Sequence, residues 1–275
     1  MKLSAFLILA VFGTVSVKAQ YYYSDIISNQ LTNHQYKLIK DNSLKKINAV
    51  SYEGNQVSSD FVMEQTISNN ARQITIRSAS AGSGQSFFTS YFENGLVNKT
   101  IDSSQNAINT VTYDYDANGN LIRTLSSSKD FDGTFSSNEE HRWTLNSAGK
   151  PESMLKIKNG IDTTRVNFTR DESGNIAEET WTKNKRVIET YYYYYNDQNR
   201  LTDIVRFSRK ARQMLPDYIF EYDANGRISQ MTQAQINSAN YLIWKYSYND
   251  KGLKSKELVY NKRKEYMGKI EYVYQ

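Results

Sequence analysis

No cysteine occurs anywhere in the 275 residues, and histidine and proline each occur only twice. The first absence excludes disulfide staples, a cysteine nucleophile and the acylated cysteine of a bacterial lipoprotein. Stability must then come from packing and strand pairing. Two histidines, His34 and His141, cannot by themselves complete a tetrahedral zinc site. No G-x-S-x-G nucleophile elbow is present. Helical spacing of apolar residues is not evident, and past the first twenty residues no apolar run approaches the length of a membrane span.

The opening MKLSAFLILAVFGTVSVKAQ reads as an export signal. Lys2 supplies the positive start, Leu3 to Val17 is largely apolar, and Val17-Lys18-Ala19 offers residues that a signal peptidase accepts. Cleavage is expected near Ala19-Gln20, placing the mature chain in the periplasm, on the outer surface or outside the cell. Loss of Lys2 and Lys18 lowers the formal charge from +5 to +3, too mild a balance for a nucleic-acid partner.

Tyrosine is abundant, with 22 residues, and it is periodic. Tyr113 to Leu121 reads YDYDANGNL, Phe168 to Ile176 FTRDESGNI, Tyr193 to Leu201 YYYNDQNRL and Phe220 to Ile228 FEYDANGRI. Weaker copies start at Trp143 and Tyr246. The turn residue, Gly or Asn, falls at 119, 149, 174, 199, 226 and 252, at intervals of 30, 25, 25, 27 and 26. Aromatic-x-aromatic is a period-two strand signal. Asp or Asn then opens a tight turn, and Gly or Asn three residues later accepts a positive φ. A second polar turn must lie midway, so each unit is two strands of roughly 8 to 9 residues. The fold class expected is all-β: an antiparallel meander of repeats of about 26 residues, forming a curled open sheet or a barrel-like solenoid.

Alternation predicts one apolar face carrying Val111, Tyr113 and Tyr115, then Trp143, Val166, Phe168, Tyr191, Tyr193, Tyr218, Phe220, Trp244, Tyr246 and Ile270. His141 falls on this face and reads as a packed structural residue. Asp114, Arg142, Asn167, Glu221, Lys245 and Glu271 fall on the other. The return strands alternate less cleanly. Before Thr89 the repeat fades: YFENGL from Tyr91 is a shortened copy, and KLIKDNSLKKI from Lys37 is read as a degenerate one. SASAGSGQS, residues 78 to 86, reads as a linker or long loop. The division expected is a leader over 1–19, degenerate β repeats or a cap over 20–88, and the repeat array over 89–275.

At Tyr113-Asp114-Tyr115-Asp116-Ala117-Asn118-Gly119-Asn120-Leu121 the chain resembles the YD-repeat family, also called RHS repeats, in which Y-x-Y-D-x-x-G-x-L recurs every twenty-odd residues. The resemblance covers about Thr89 to Gln275. It implies a continuous curling β-sheet, which in large members becomes a hollow shell around a toxin. This chain resembles a short secreted form without cargo.

Asp114-x-Asp116-x-Asn118-Gly119 has the spacing of half an EF-hand loop, but Leu125 stands where calcium needs a bidentate Glu. Turn chemistry accounts for the pattern without a metal, and no cofactor is expected. Glu178 and Glu179, candidates for paired carboxylates, read as solvent-facing strand residues. Three of the second turns are basic, with Lys183, Lys185 and Arg186; Arg206, Arg209, Lys210 and Arg212; and Lys262, Arg263 and Lys264, while the one around Gln233 to Asn240 is neutral. The first turns carry Asp116, Asp171, Asp197, Asp223 and Asp250. A meander puts the two turn types on opposite edges, so the basic edge is a candidate contact for an acidic envelope polymer or polysaccharide. Tyr192 and Tyr194, surplus to the repeat, are the candidate aromatic contacts on the outer face. The function expected is a non-catalytic structural or ligand-binding module of the cell envelope. An outer-membrane β-barrel is the alternative, and a polysaccharide-active enzyme the weaker third reading.

Overall fold

Six hairpins turn on the same local bond set. In the first, Asp116 Oδ1 accepts the backbone N–H of Asn118 (2.9 Å) and of Asn120 (2.8 Å), and the Gly119 N–H donates to the Asp116 carbonyl (3.0 Å). Asn146, Asp171, Asn196, Asp223 and Asn249 repeat the arrangement. The turn needs a short side-chain acceptor at its first position and a positive φ three residues on, which Gly119 (φ 81°) and Asn199 (φ 56°) both adopt. Asn261 builds the same turn on the opposite edge, with Lys264 at φ 61°.

This computed structural model describes residues 21–275 except 59–60, 69, 81–83, 105, 210 and 236–239. The export signal lies outside the described residues. One helix, α1 (Ser24–Asp41), precedes strands β1 (Lys46–Glu53), β2 (Gln56–Val57), β3 (Val62–Ile67), β4 (Gln73–Ser80), β5 (Gly84–Glu93), β6 (Leu96–Ser103), β7 (Ala107–Tyr115), β8 (Leu121–Asp130), β9 (Ser136–Leu145) and β10 (Pro151–Lys158). There follow β11 (Asp162–Arg170), β12 (Ile176–Lys183), β13 (Arg186–Tyr195), β14 (Leu201–Ser208), β15 (Gln213–Tyr222), β16 (Ile228–Ala234), β17 (Tyr241–Tyr248), β18 (Lys254–Asn261) and β19 (Tyr266–Tyr274). All belong to one antiparallel sheet, in which β1 also pairs with β19. With the two-residue β2 set aside, the fold is an all-β meander closed as an eighteen-strand barrel.

Two compact units divide the chain. One comprises the described residues of Met1–Val50, Ser58–Thr163 and Tyr272–Gln275; the other comprises Ser51–Val57 and Thr164–Glu271. Each holds part of the closing seam. In the first, Lys46 and Gln275 exchange backbone N–H···O=C bonds of 3.0 and 2.9 Å. In the second, the Gly54 N–H donates to the Met267 carbonyl (3.0 Å).

The expected faces are the observed ones. Trp143, Val166, Tyr191, Tyr193, Trp244 and Ile270 are buried, whereas Asp114, Arg142, Asn167, Glu221 and Lys245 are exposed. The untidy alternation of the return strands has one cause. In each first-turn hairpin the register slips by one residue at the third position after the turn residue, for instance at Ile122 between Leu121 and Arg123, and at Thr202 between Leu201 and Asp203. A bulge there flips the phase of the strand. The buried positions therefore fall two and five residues after the turn: Leu121 and Thr124, Ile176 and Glu179. Glu179 is thus not solvent-facing, as its sequence context implied, but fully buried, accepting the Trp181 Nε1–H (2.6 Å) and the Tyr193 O–H (2.5 Å).

Successive repeats are tied by the second aromatic. Tyr115 O–H donates to the Val97 carbonyl (2.6 Å), Tyr222 to Leu201 (2.6 Å) and Tyr248 to Ile228 (2.8 Å). Each acceptor lies two residues after the preceding repeat's turn residue. The residue directly after a turn packs on the next turn: Asn175 Nδ2–H donates to Asn199 Oδ1 (3.0 Å), and a Cβ on Gly226 would stand 2.6 Å from Arg200.

The N-terminal segment corrects the sequence reading. Within the segment read as degenerate β repeats or a cap, residues 24–41 form a helix, and KLIKD, read as the start of a degenerate repeat, supplies its last turn. Ile26, Asn29, Tyr36 and Ile39 are its buried residues, a 3.6-residue spacing obscured because one member is an asparagine. The helix packs on the apolar face of the first unit, where Tyr36 stacks on Phe92 with centroids 3.9 Å apart. Asn29 Nδ2–H donates to Tyr115 Oη (2.6 Å), and the Val97 N–H donates to Asn33 Oδ1 (2.9 Å). The presumed linker at 78–86 also contains strand: Ser78 pairs with Ser86 and Ser80 with Gly84 across the β4–β5 hairpin. The division expected between residues 88 and 89 falls inside β5.

Tyr222→Phe deletes one inter-repeat donor and leaves the Leu201 carbonyl short of a partner. It should lower unfolding free energy by about 1–2 kcal/mol, read from the urea midpoint. Tyr194→Phe, on a half-exposed residue, should stay within about 0.5 kcal/mol of wild type.

Candidate functional site

The basic second-turn edge of the second unit is built by hairpins β12–β13, β14–β15 and β18–β19. Lys185 and Arg186 lie exposed at the first tip, Arg209 and Arg212 at the second, and Lys262, Arg263 and Lys264 at the third. Lys183 ends β12 half-buried. Lys210 lies outside the described residues. Positive φ at Asn184, Lys185, Arg212 and Lys264 lets these chains reverse tightly. Arg206 departs from the expected group. It sits on the apolar face of β14, its Nε–H donating to Asp217 Oδ2 (2.7 Å) with its guanidinium 5.9 Å from the Tyr191 ring. Strand alternation could have separated it, since buried Ile204 lies two residues away on the same face.

Tyr192 and Tyr194 point away from buried Tyr191 and Tyr193. Tyr194 is 52% exposed and pairs with Asp203; Tyr192, half-buried, pairs with Glu178 and Val205. These two tyrosines stand on the outer wall, and the cations crowd its edge. On the opposite edge a shallow groove of about 430 Å³ runs between the β13–β14 and β15–β16 turns. Arg200, whose guanidinium lies 5.7 Å from the Tyr222 ring, lines it with Phe220 and Glu221. The sequence reading did not single out this groove, because it arises from two turns 27 residues apart.

A further charge cluster belongs to the first unit. His141 Nδ1–H donates to Asp25 Oδ2 (2.6 Å) and Nε2–H to Glu139 Oε1 (3.0 Å), while Lys156 Nζ reaches Glu139 Oε2 (2.8 Å). Tyr22 meets the imidazole edge-on. Burial works against the imidazolium, but the two carboxylates outweigh it and raise its pKa to about 9. Burial likewise opposes the Glu139 carboxylate, yet the bonds from His141 and Lys156 hold it at about 2. With both ring nitrogens engaged, His141 is an anchor for α1 and is not poised as a base. Among the described residues no group of three or more His, Cys, Asp or Glu is arranged to hold a metal ion.

No family model and no curated protein matches this chain. Among solved structures it is similar to a porin-like protein from Bacteroides uniformis, at 8% identity and a TM-score of 0.41 over 84% of this chain and 98% of that one. A porin-like protein from Bacteroides vulgatus gives 11% identity and a TM-score of 0.33, again over 84% and 98%. The Photorhabdus luminescens Tc holotoxin pore gives 12% and 0.31, over 81% of this chain but only 14% of that one.

The His141 pKa, raised from 6.5 to about 9, makes its contribution fully present below pH 6.5 and lost as pH rises through 9. Glu139, lowered from 4.5, contributes above pH 4.5 and loses this as pH falls towards 2. Stability should therefore plateau between pH 4.5 and 6.5 and fall by on the order of 1–3 kcal/mol by alkaline pH. His141→Gln should flatten the alkaline limb in urea titrations run across this range.

Proposed function

We propose that the protein is an exported β-barrel of the cell envelope that catalyses no reaction and binds an acidic polymer along one basic edge. The observation that carries this reading is the segregation of charge in the second unit. Asp171, Asp197, Asp223 and Asp250 occupy the turns of one edge, and Lys185, Arg186, Arg209, Arg212 and Lys262 to Lys264 those of the other. Exposed cations on adjacent tips sum into a surface potential that a single residue does not produce. Tyr194 and Tyr192 extend the contact onto the outer wall, where rings can stack on sugars.

Insertion of the barrel in the outer membrane is the second reading. Closure of the meander favours it over an open sheet, and strands such as β13 and β15, at ten residues each, match the roughly 9–11 that a tilted spanning strand needs. The outer face weighs against it. Across β7, β8 and β9 that face carries Asp114, Arg123, Glu140 and Arg142 in one chain of ion pairs, the reverse of an apolar lipid-facing wall.

Two measurements decide between them. Protein released from membranes by high salt without detergent sinks the inserted barrel; protein that needs detergent supports it. Purified protein should bind dextran sulfate at low salt, with affinity falling as salt rises. Replacing Lys185, Arg186, Arg209 and Arg212 by serine should weaken that binding at least about tenfold. Unchanged binding by this variant would overturn the acidic-polymer reading.

A further inference from the structure

The basic edge of the second unit is also its apolar edge. Val187 (63% exposed), Ile188 (39%), Phe207 (49%) and Met214 (42%) lie within a few residues of the β12–β13 and β14–β15 turns. These hairpins are neighbours, because β13 pairs with β14, and the Arg209 Nη2–H donates to the Ile188 carbonyl (3.4 Å) across the two tips. Phe207 and Met214 are directly paired and share a face. The tips contain no carboxylate: KNKRVI spans 183–188 and FSRKARQML spans 207–215. The nearest two, Glu189 and Asp217, are both engaged by Arg206. The first-turn edge differs: among the described residues of this unit its turns expose no large apolar side chain apart from Tyr194 nearby.

A soluble polyanion would satisfy the cations and leave four large apolar side chains in water. A surface that is anionic at the level of its headgroups and apolar just beneath satisfies both. We infer that the β12–β13 and β14–β15 tips dock on an anionic lipid surface. Val187, Ile188, Phe207 and Met214 enter the headgroup–acyl boundary, while Lys185, Arg186, Arg209 and Arg212 meet the lipid phosphates. Apolar side chains on hairpin tips enter at little cost, because the backbone groups of the strands behind them are already paired. This inference rests on the basic-edge reading and names its partner.

The test is cosedimentation of purified protein with vesicles of phosphatidylcholine plus phosphatidylglycerol, against phosphatidylcholine alone, alongside dextran sulfate binding. Wild type should sediment only with the anionic vesicles. Val187→Ser, Ile188→Ser, Phe207→Ser and Met214→Ser combined should weaken vesicle binding at least about tenfold while leaving dextran sulfate binding intact. Serine at Lys185, Arg186, Arg209 and Arg212 should weaken both. Should the apolar variant sediment like wild type, or wild type bind dextran sulfate but no vesicles, lipid docking is overturned and the basic-edge reading survives. Binding of wild type to neither probe overturns both. Equal sedimentation with both vesicle types overturns the anionic requirement.

Discussion

One side-chain oxygen, accepting two backbone N–H groups, starts each first-turn hairpin, and most of the architecture depends on it. At Asp116, Asn146, Asn196, Asp223 and Asn249 that oxygen satisfies donors that a tight reversal would otherwise leave unpaired. The same geometry delivers the chain into its return strand with a bulge at a constant position. That bulge decides which residues are buried, placing Thr124, Glu179 and Ile204 on the apolar face.

Once the turns are set, neighbouring repeats are registered by contacts that only a few side chains can make. A tyrosine hydroxyl reaches the carbonyl two residues past the preceding turn, and the residue just after that turn lies on the next one. Phenylalanine could fill the space but not bond the carbonyl, which accounts for tyrosine at Tyr115, Tyr222 and Tyr248. In the first unit the same hydroxyl also accepts a bond from Asn29, so the repeat's internal tie doubles as a docking point for α1.

Charge follows the same geometry. The hairpin edge built by Asx turns must carry Asp or Asn; the caps Asp116, Asp171 and Asp223 give it negative charge for that local reason, whereas Asp197 and Asp250 stand beside the neutral caps Asn196 and Asn249. The other edge is under no such demand in most of its turns, and at the β12–β13 and β14–β15 tips of the second unit Lys, Arg and large apolar side chains accumulate together. A protein that needed only solubility at that edge would gain nothing from Phe207 and Met214 in water. Their presence among cations is what distinguishes an interfacial surface from a merely charged one.

Much was legible in the residues alone. Period-two aromatics fixed the strands and their apolar face, and the spacing of Asp and Gly located the turns, because both signals are local. The cations of the second turns were legible for the same reason, as turn residues are exposed wherever the sheet goes. Arg206 was misplaced with them because its identity suggested an edge, whereas its phase put it beside Tyr191. Helix α1 was missed because its buried stripe is interrupted by a polar residue: Asn29 is interior only by virtue of its bond to Tyr115, and half-buried Asn33 likewise bonds the sheet at Val97. Closure of the meander was likewise undecidable from local pattern. It depends on β1 meeting β19 after more than 200 residues, a register that accumulates from every bulge between them and that only the tertiary structure decided.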